Sequence, residues 1–484
     1  MDFRRFGASA CLVAMLAGCG GGEAPSSDGP VTGGTTGPPA VSCSLRARQD
    51  WAAAQLREWY LFPETLPATL DASAYPSVEA YIDALTATAR SQRRDRFFTF
   101  LTSIADEDAF FASGSNVGFG IRLSIDAGAR RVLVSEAFEG TAALAAGIDR
   151  GTEILAIGTG PGALREVGAI IAADGGAGVT DALGPSTVGT TRSLRVSDAA
   201  AGTRVVTIAK TDYTLTPVSS RYGARIIDDA GRRYGYVNLR TFISTADPAL
   251  RTAFAQFRSA GVTDIVVDLR YNGGGLVPIA DLFGDLLGGN RSTSEVLSYT
   301  VFRPEKAARE NETRTFSPQP QSIAATRIAF IGTSATASAS ELVINAFTPY
   351  LRAQSALIGT NTFGKPVGQI ALDQIACDDR LRVVAFATQN AARNGNYYDG
   401  LAATVEASCQ AADDIAFPLG DPREASTRAA LDFLQGKSCT RIPTGAVSAA
   451  AARTLSTTPL LRERRELLIP ERPTPAQREV PGAF

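Results

Sequence analysis

One apolar strand and the glycine run that follows it constrain the fold of this chain more than any other feature. Residues 263–269 have an apolar centre, Ile265-Val266-Val267, followed by Leu269, which is typical of a strand buried on both faces of a sheet. Three consecutive glycines follow at 273–275. Further strand and helix patterns alternate around this strand, with strands at 234–242, 327–332 and 356–359 and helices at 248–260 and 340–350. The alternation predicts a layered α/β domain.

Two regions with other patterns precede this domain. Helical periodicity at 49–60 and again at 77–90 predicts a small helical region. Near residue 117 the pattern changes to glycine turns and short strands, at 118–123 and 131–134. This change predicts a β-rich domain between the helical region and the α/β domain.

Two further stretches have the composition of loops. Residues 160–189 are rich in Ala, Gly and Asp, which predicts a loop insertion within the β-rich domain. Beyond residue 441 the chain is rich in Pro, Ala and Arg, and we expect a solvated extension with a helical patch at 460–468.

The first residues have the pattern of an export signal. Two arginines precede an apolar stretch at 8–17, which is too short for a membrane-spanning helix. Leu-Ala-Gly before Cys19 fits a lipoprotein signal in which this cysteine is lipidated; an ordinary secretory signal with a chance cysteine is the alternative. Gly20 resembles the residue found in lipoproteins sorted to a bacterial outer membrane, and residues 20–39 are typical of a flexible tether.

Four cysteines remain after the predicted signal and lipidation site, at Cys43, Cys377, Cys409 and Cys439. An even number in an exported protein predicts two disulfides, for which three pairings exist. We favour Cys377 with Cys409, closing a local excursion, and Cys43 with Cys439, joining the start of the fold to its end. No pair has CxxC spacing, so we expect no metal site.

The chain contains no histidine among its 484 residues. This excludes Ser-His-Asp triads, Cys-His dyads and histidine-based zinc sites, so a serine hydrolase would need another base. Only four of the 47 basic residues are lysines. Arginine stays protonated, whereas a lysine that is removed from water can lose its proton and act as a neutral base. A lysine such as Lys365, in a chain that otherwise uses arginine, therefore indicates a catalytic role. The net charge of −2 does not indicate a nucleic-acid or anionic-membrane surface.

Ser338 is the candidate nucleophile and Lys365 the candidate base. Ser338 lies between small residues just before a predicted helix, where free N–H groups and the helix dipole favour developing negative charge. The alternative is that Ser338 or Ser340 only caps this helix. Burial of Lys365 beside Ser338 would shift the lysine toward its neutral form, and Gln369 would orient the amine.

The oxyanion formed in acyl transfer needs two hydrogen-bond donors. The N–H of Ala339, directly after the candidate nucleophile, is one. The N–H of Gly274 is the other, because the glycine run at the end of a buried strand allows close approach of a substrate backbone. Gly275 remains an alternative for this second donor.

These motifs, taken in order, resemble those of the C-terminal processing peptidases, also called tail-specific proteases. The matching segments are Tyr234-Gly235-Tyr236-Val237, residues 268–275, residues 336–341, and Thr362-Phe363-Gly364-Lys365 with Gln369. The resemblance implies a Ser338/Lys365 dyad aided by Gln369, on a crotonase-like or ClpP-like α/β core. It covers about residues 117–369, including a stretch at 140–157 that resembles a PDZ domain of the bacterial protease type.

PDZ domains bind peptide C-termini by strand addition, with backbone amides holding the carboxylate. By position, the resemblance implies that this peptide-binding loop consists of Gly118, Phe119, Gly120 and Ile121. An inert β-rich spacer is the alternative role for this domain.

The complete expectation is an α/β catalytic core with an N-terminal helical region and a β-rich PDZ-like domain. Its bounds are 1–18 for a signal peptide, 19–42 for a tether, 43–112 for the helical region, 113–212 for the PDZ-like domain, 213–440 for the catalytic domain and 441–484 for an extension.

The resemblance implies a lipid-anchored serine endopeptidase of the bacterial periplasm that cuts exported proteins with exposed, unstructured C-termini. We expect no cofactor, no metal and no nucleic-acid partner, with membrane contact through the lipid alone; a homo-oligomer or an adaptor remains open. The alternatives are a catalytically silent peptide-binding lipoprotein scaffold, and an acyl-transfer or isomerase activity on the same fold.

Overall fold

The computed structural model describes residues 42–444 and 465–484. The predicted signal peptide, the lipidation site at Cys19 and the tether up to residue 41 lie outside the described residues, as does the first half of the helical patch predicted at 460–468. Within the described ranges, no helix combines the length and apolarity needed to cross a membrane.

The α-helices of the described residues begin in the predicted helical region and continue to the end of the chain. In chain order they are α1 (Leu45–Trp59), α2 (Val78–Leu85), α3 (Ala87–Ser91), α4 (Ile104–Ser113), α5 (Ala142–Ala145), α6 (Val167–Leu183), α7 (Ala246–Ser259), α8 (Val277–Leu287), α9 (Pro304–Glu310), α10 (Ala339–Leu351), α11 (Ala425–Leu434) and α12 (Pro475–Glu479). Ser44, Ser77 and Ser103 explain three of the starts, because each side chain accepts a hydrogen bond from the first turn of its helix.

The strands of the described residues form three larger sheets and one two-stranded ribbon. In chain order they are β1 (Phe100–Ser103), β2 (Ser115–Gly118), β3 (Ile121–Asp126), β4 (Arg131–Ala137), β5 (Glu153–Gly158), β6 (Arg165–Glu166), β7 (Thr191–Asp198), β8 (Gly202–Ala209), β9 (Thr211–Thr214), β10 (Ala224–Asp229), β11 (Arg232–Asn238), β12 (Asp264–Asp268), β13 (Val296–Phe302), β14 (Glu312–Thr315), β15 (Arg327–Gly332), β16 (Ser355–Gly359), β17 (Val367–Gln374), β18 (Asp379–Gln389), β19 (Ala407–Gln410) and β20 (Glu466–Leu467).

A six-stranded sheet forms the centre of the α/β region, in the order β10-β11-β12-β15-β16-β19. The first pair is antiparallel and all the others are parallel. Alternate residues of β12 face opposite layers, since Ile265 and Val267 pack in one apolar cluster and Val266 in another. Burial on both faces explains the apolar run Ile265-Val266-Val267 at the centre of this strand.

The β domain, residues 115–214, contains a sheet of order β3-β4-β5-β7-β8 that is extended at the β3 edge by β20. Buried ion pairs join this domain to the α/β region. Glu136 of β4 accepts a hydrogen bond from Arg240 at 2.7 Å, and Arg150 binds Asp413 at 2.7 Å. Because removing one partner of a buried pair leaves an uncompensated charge, these pairs fix the orientation of the β domain.

A third sheet, in which β18 pairs with β1, β13 and β17, packs against the N-terminal helices. Leu56 of α1 and Ile82 of α2 share an apolar cluster with Leu381 and Val383 of β18. Strand β17 begins two residues after Lys365, so this sheet also positions the candidate base.

Three predictions about local structure are wrong. Residues 160–189 do not form a loop insertion, since they contain β6 and the helix α6, which is kinked at Gly175. The described part of the tail, residues 465–484, is not a solvated extension: it folds against the protein, and Phe484 is only 3% exposed. The described half of the predicted helical patch contains the strand β20 instead of a helix. We call residues 465–484 the strap.

Two disulfides are present, as predicted, but the favoured pairing is wrong. The bonds join Cys43 to Cys377 and Cys409 to Cys439, each with a Cα–Cα distance of 5.5 Å. Cys43 lies just before α1, which packs on β18 close to the turn that carries Cys377. Cys439 follows α11 and lies beside β19, where its Sγ contacts the carbonyl of Ser408. Spatial neighbours, rather than the ends of the fold, therefore determine the pairing.

Candidate active site

The three predicted motifs follow three neighbouring strands of the central sheet. The strands β12, β15 and β16 are parallel and adjacent, and their carboxyl ends lead to the glycine run, to Ser338 and to Lys365. Loops after the carboxyl ends of parallel strands meet at one edge of a sheet. Ser338, Lys365 and Gln369 accordingly line one cavity of about 240 Å³, together with Gly275.

Ser338 occupies a strained position at the start of α10. Its backbone has φ 56° and ψ −116°, a region that residues with side chains rarely adopt. Strain of this kind persists where the surroundings enforce it, and it is common at functional sites. Gly274 makes the turn possible, because a Cβ on that glycine would lie 2.8 Å from Cβ of Ser338.

Glu341 links the candidate nucleophile to the candidate base. This carboxylate is fully buried and accepts the N–H of Ser338 at 3.1 Å and the N–H groups of Gly364 and Lys365 at 2.7 Å each. Burial raises the pKa of Glu341, and the hydrogen bonds oppose that rise. From the sequence, Glu341 was included only within the matching segment 336–341, and this role, which depends on a contact between two loops, was missed.

Lys365 is positioned by Gln369, as predicted. Its Nζ donates to Oε1 of Gln369 at 2.7 Å, and Nε2 of Gln369 in turn donates to the carbonyl of Phe98. Burial lowers the pKa of Lys365, and the carboxylate of Glu479 opposes the shift. Within the described residues, no hydrogen bond joins Ser338 Oγ to Lys365 Nζ, although both side chains line the same cavity.

The structure corrects one of the two predicted oxyanion donors. The N–H of Gly274 donates to Oδ1 of Asn272 at 2.9 Å and is therefore not free in this conformation. Gly275, the alternative, lines the cavity, and neither its N–H nor that of Ala339 is hydrogen-bonded within the part of the chain that the structure describes. The donor pair that the geometry offers is Ala339 with Gly275.

Asn272 was missed by sequence reasoning, although it stands in the recognised motif. It is fully buried, and its Nδ2 donates to the carbonyl of Leu239 at 2.9 Å. Its own carbonyl accepts the N–H of Ala337 and the hydroxyl of Ser340, each at 3.1 Å. Asn272 therefore joins the glycine run to the turn that carries the nucleophile, which gives its position in the motif a physical reason.

The loop that carries Lys365 is also held by the N-terminal region. Arg96 donates to the carbonyls of Phe363 at 2.6 Å and Gly364 at 2.5 Å. Its guanidinium lies 4.0 Å from the centre of the Phe363 ring, and burial lowers the pKa of the group. No sequence signal pointed to Arg96, because its partners are backbone carbonyls more than 260 residues away.

The predicted peptide-binding loop lies at the amino end of β3, and the strap occupies it. The N–H groups of Gly120 and Ile121 donate to the carbonyl of Phe484 at 2.9 and 3.1 Å. Gly118 lies directly beneath this carbonyl, and Phe119 is buried in the β-domain core. The loop therefore binds a backbone carbonyl in this structure; its role toward other peptides stays a prediction.

Comparisons with known proteins agree with this geometry. Residues 233–398 match the model of Peptidase family S41. The chain is 29% identical over 258 residues to the carboxyl-terminal-processing protease of Picosynechococcus sp., covering 52% of this chain and 55% of that protein. It is 28% identical over 186 residues to the chloroplastic C-terminal processing peptidase of Tetradesmus obliquus, covering 37% of this chain and 38% of that protein. The chain thus aligns with about half or less of the length of these curated relatives.

A solved structure, an S41 protease from Bacteroides fragilis, shares the fold. Its TM-score is 0.60 at 24% identity, and the match covers 80% of this chain and 97% of that chain. This match confirms the predicted mixed α/β fold. The family match and the named relatives confirm the resemblance that the motifs indicated.

Proposed function

We propose that this chain is a serine endopeptidase with a Ser338/Lys365 dyad. The premise is that residues 233–398 match the model of peptidase family S41. One observation carries the proposal: the side chains of Ser338 and Lys365 line one cavity, and the buried carboxylate of Glu341 binds the backbone of both residues. Such a link fixes nucleophile and base relative to each other, which is the positioning that acyl transfer requires.

The first step is acylation of Ser338. The neutral amine of Lys365 removes the hydroxyl proton as Oγ attacks the carbonyl carbon of the scissile peptide bond. The resulting oxyanion accepts hydrogen bonds from the N–H groups of Ala339 and Gly275, which are fixed before the charge develops. Collapse of the intermediate breaks the C–N bond, and the ammonium of Lys365 gives its proton to the departing amine.

The second step is hydrolysis of the acyl-enzyme. Water attacks the ester carbon while Lys365 accepts one of its protons, and the same two N–H groups hold the second oxyanion. Breaking of the ester bond returns the proton to Oγ of Ser338 and releases the new carboxylate. Lys365 is neutral again and the cycle closes without a metal or cofactor.

The pH dependence follows from the burial of Lys365. Burial holds the pKa of this amine below its ordinary value of 10.5. The neutral form is the active one, so the active fraction increases as pH rises through the lowered pKa. We expect the cleavage rate to rise from neutral pH and to reach its plateau below pH 10.5.

The remaining parts of the proposal concern substrate and location. The β domain is a PDZ-like module, supported by main-chain donors at Gly120 and Ile121 that hold a backbone carbonyl at the edge of a sheet. Substrates are exported proteins with unstructured C-terminal tails, as the names of the curated relatives suggest. The sequence around Cys19 supports a lipid anchor on the periplasmic face of a bacterial outer membrane. The scaffold alternative is not favoured, because Ser338, Lys365 and Gln369 line one cavity.

The test compares the wild type with Ser338→Ala and Lys365→Arg on casein, an unstructured protein, from about pH 6 to 10. We expect cleavage by the wild type alone, with a rate that rises with pH. The exposed lysine Lys437 supplies the control, since Lys437→Arg keeps its charge and should leave the profile unchanged. Cleavage that survives Ser338→Ala would show that another residue is the nucleophile.

A further inference from the structure

The strap contacts two regions that the proposed mechanism assigns to substrate. Its first part, β20, pairs antiparallel with β3, with Leu467 opposite Ser124. The strap then leaves the sheet, forms α12, and returns to the same edge at Gly482. The edge of β3 is therefore covered by the strap at both of its ends.

The return stretch of the strap adds to β3 as an extra strand does. The N–H of Leu123 donates to the carbonyl of Gly482 at 2.8 Å, and the N–H of Phe484 donates to the carbonyl of Ile121 at 2.8 Å. Together with the bonds from Gly120 and Ile121 to the Phe484 carbonyl, these are main-chain contacts of the kind by which a sheet edge captures an extended peptide.

The surface at this edge is shaped to the strap. A Cβ on Gly118 would lie 2.6 Å from the carbonyl carbon of Phe484, so only a glycine permits this approach. The Phe484 side chain packs in the same apolar cluster as Phe119 and Ile121. The edge thus accommodates a turn at Gly482 that is followed by a small residue and an aromatic one, Ala483 and Phe484.

The middle of the strap reaches the cavity that contains the dyad. Pro475, Arg478 and Glu479 form part of its wall. The N–H of Gly273 donates to the carbonyl of Glu479 at 3.0 Å, and a Cβ on Gly273 would lie 2.5 Å from the carbonyl oxygen of Arg478. The glycine run therefore holds strap backbone where a substrate backbone must approach.

The strap also places charge in the cavity. Burial lowers the pKa of Lys365, but the carboxylate of Glu479 acts in the opposite direction and favours the ammonium. Burial raises the pKa of Glu479 itself, and Lys365 opposes that rise. Arg478 of the strap acts against Glu479 and lowers the pKa of Lys365, so the strap surrounds the base with charges of both signs.

We propose that the strap is an intramolecular competitor of substrate, which occupies the edge of β3 and the cleft beside Ser338 together and must be displaced before cleavage. The proposal rests on the proposed function, because that function identifies the cleft as the place of substrate. It specifies both the regulation of the site and the kind of segment that its binding edge prefers.

The test weakens the return stretch without changing the β domain or the dyad. Gly482 has φ +83°, and a Cβ there would lie 2.9 Å from the carbonyl of Leu123, so Gly482→Val is expected to release this stretch. Gly160→Val is the matched control, since Gly160 has an extended backbone with φ −168° and no atom within 4 Å of the added group.

Binding is measured in the Ser338→Ala background, so that the result does not depend on catalysis. The probe is a fluorescent peptide with the sequence of residues 474–484, followed by anisotropy. If the strap fills the site most of the time, its release in Gly482→Val should lower the Kd of the peptide about tenfold. The Kd measured with Gly160→Val should equal that of the parent. Cleavage of casein by the matching Ser338-containing variants should rise by a similar factor, and the peptide added in excess should reverse the rise.

Two outcomes would overturn the proposal: unchanged peptide binding in Gly482→Val, or weaker binding with an intact melting temperature. If the substitution lowers the melting temperature, the same comparison is made on protein cut at a protease site placed in the exposed stretch 469–473, where Ile469 is 54% exposed. Tighter binding after the cut supports the proposal and unchanged or weaker binding refutes it. Tighter peptide binding without any casein cleavage would support the role of the strap as a competitor and would count against the proposed function.

Discussion

The strap contacts two regions that are built in different ways. In the cavity, buried side chains hold the loops that carry the candidate residues: Glu341 accepts the backbone N–H groups of Ser338 and Lys365, and Asn272 accepts that of Gly274. At the edge of β3, main-chain hydrogen bonds hold the strap, and the Phe484 side chain packs in the apolar core. In the cavity, the identities of the buried residues therefore decide the chemistry. At the edge of β3, the shape of the backbone and its N–H groups decide which segment binds.

The largest expected effect is the loss of the base. In Lys365→Met the amine is gone while the apolar stem remains, so we expect kcat/KM on casein to fall about 1,000-fold or more. Binding of the 474–484 peptide should change less than twofold, about 0.4 kcal/mol, because the edge of β3 is untouched. A comparable loss of binding would show that the two regions are not separable.

A second prediction concerns the carboxylate that joins the two loops. Glu341→Gln turns one of its acceptor oxygens into a donor that faces an N–H group, so we expect kcat to fall about 100-fold and KM to change little. The free energy of unfolding should fall by about 1–3 kcal/mol, measured by urea denaturation. Glu305→Gln on the exposed helix α9 is the control, and an equal effect there would refute the role of Glu341.

A smaller effect is expected from Asn272, which positions the oxyanion donors through the backbone. Asn272→Ala frees the Gly274 N–H and should lower kcat about tenfold, less than the loss of a donor that touches the oxyanion. Asn272→Asp keeps an acceptor for that N–H, so it should retain more activity than the alanine variant. The reverse order would contradict the positioning role.

The smallest effect belongs to the edge. Gly118→Ala places a methyl group where the Phe484 carbonyl now lies, so an extended peptide must shift to bind. In the Gly482→Val background we expect peptide affinity to fall about fivefold, and hydrolysis of a small ester that does not reach the edge to stay unchanged. A fall in ester hydrolysis would mean that the edge also shapes the catalytic cavity.

The same contrast explains what the sequence could predict. Ser338 and Lys365 stand in short motifs after neighbouring strands of the central sheet, so the strand order brings them together, and Gln369 follows Lys365 by four residues. Glu341 and Asn272 also stand in those motifs, but their contacts join separate loops. The distance between these loops in the fold cannot be inferred from the sequence.

The strap, the disulfide pairing and the helix α6 were not predicted, for physical reasons. Main-chain hydrogen bonds, which carry no residue signature, join the strap to β3, and its partners on that strand lie more than 300 residues away in the chain. The pairing of Cys43 with Cys377 depends on how the N-terminal helices pack on β18. Helix α6 contains Gly-rich sequence that local propensity assigns to a loop, and packing of Ile170 and Val179 in the β-domain core overrides that propensity.

The most direct test of the central claim is covalent labelling of the nucleophile. A fluorophosphonate ester is added to the wild type, to Gly482→Val and to Lys365→Met, and the modified residue is located by peptide mass mapping. We expect a single adduct on Ser338 that forms faster in Gly482→Val and is lost in Lys365→Met, while each protein keeps its native circular dichroism. An adduct on another serine, or labelling of Ser338 that persists without Lys365, would contradict the Ser338/Lys365 dyad.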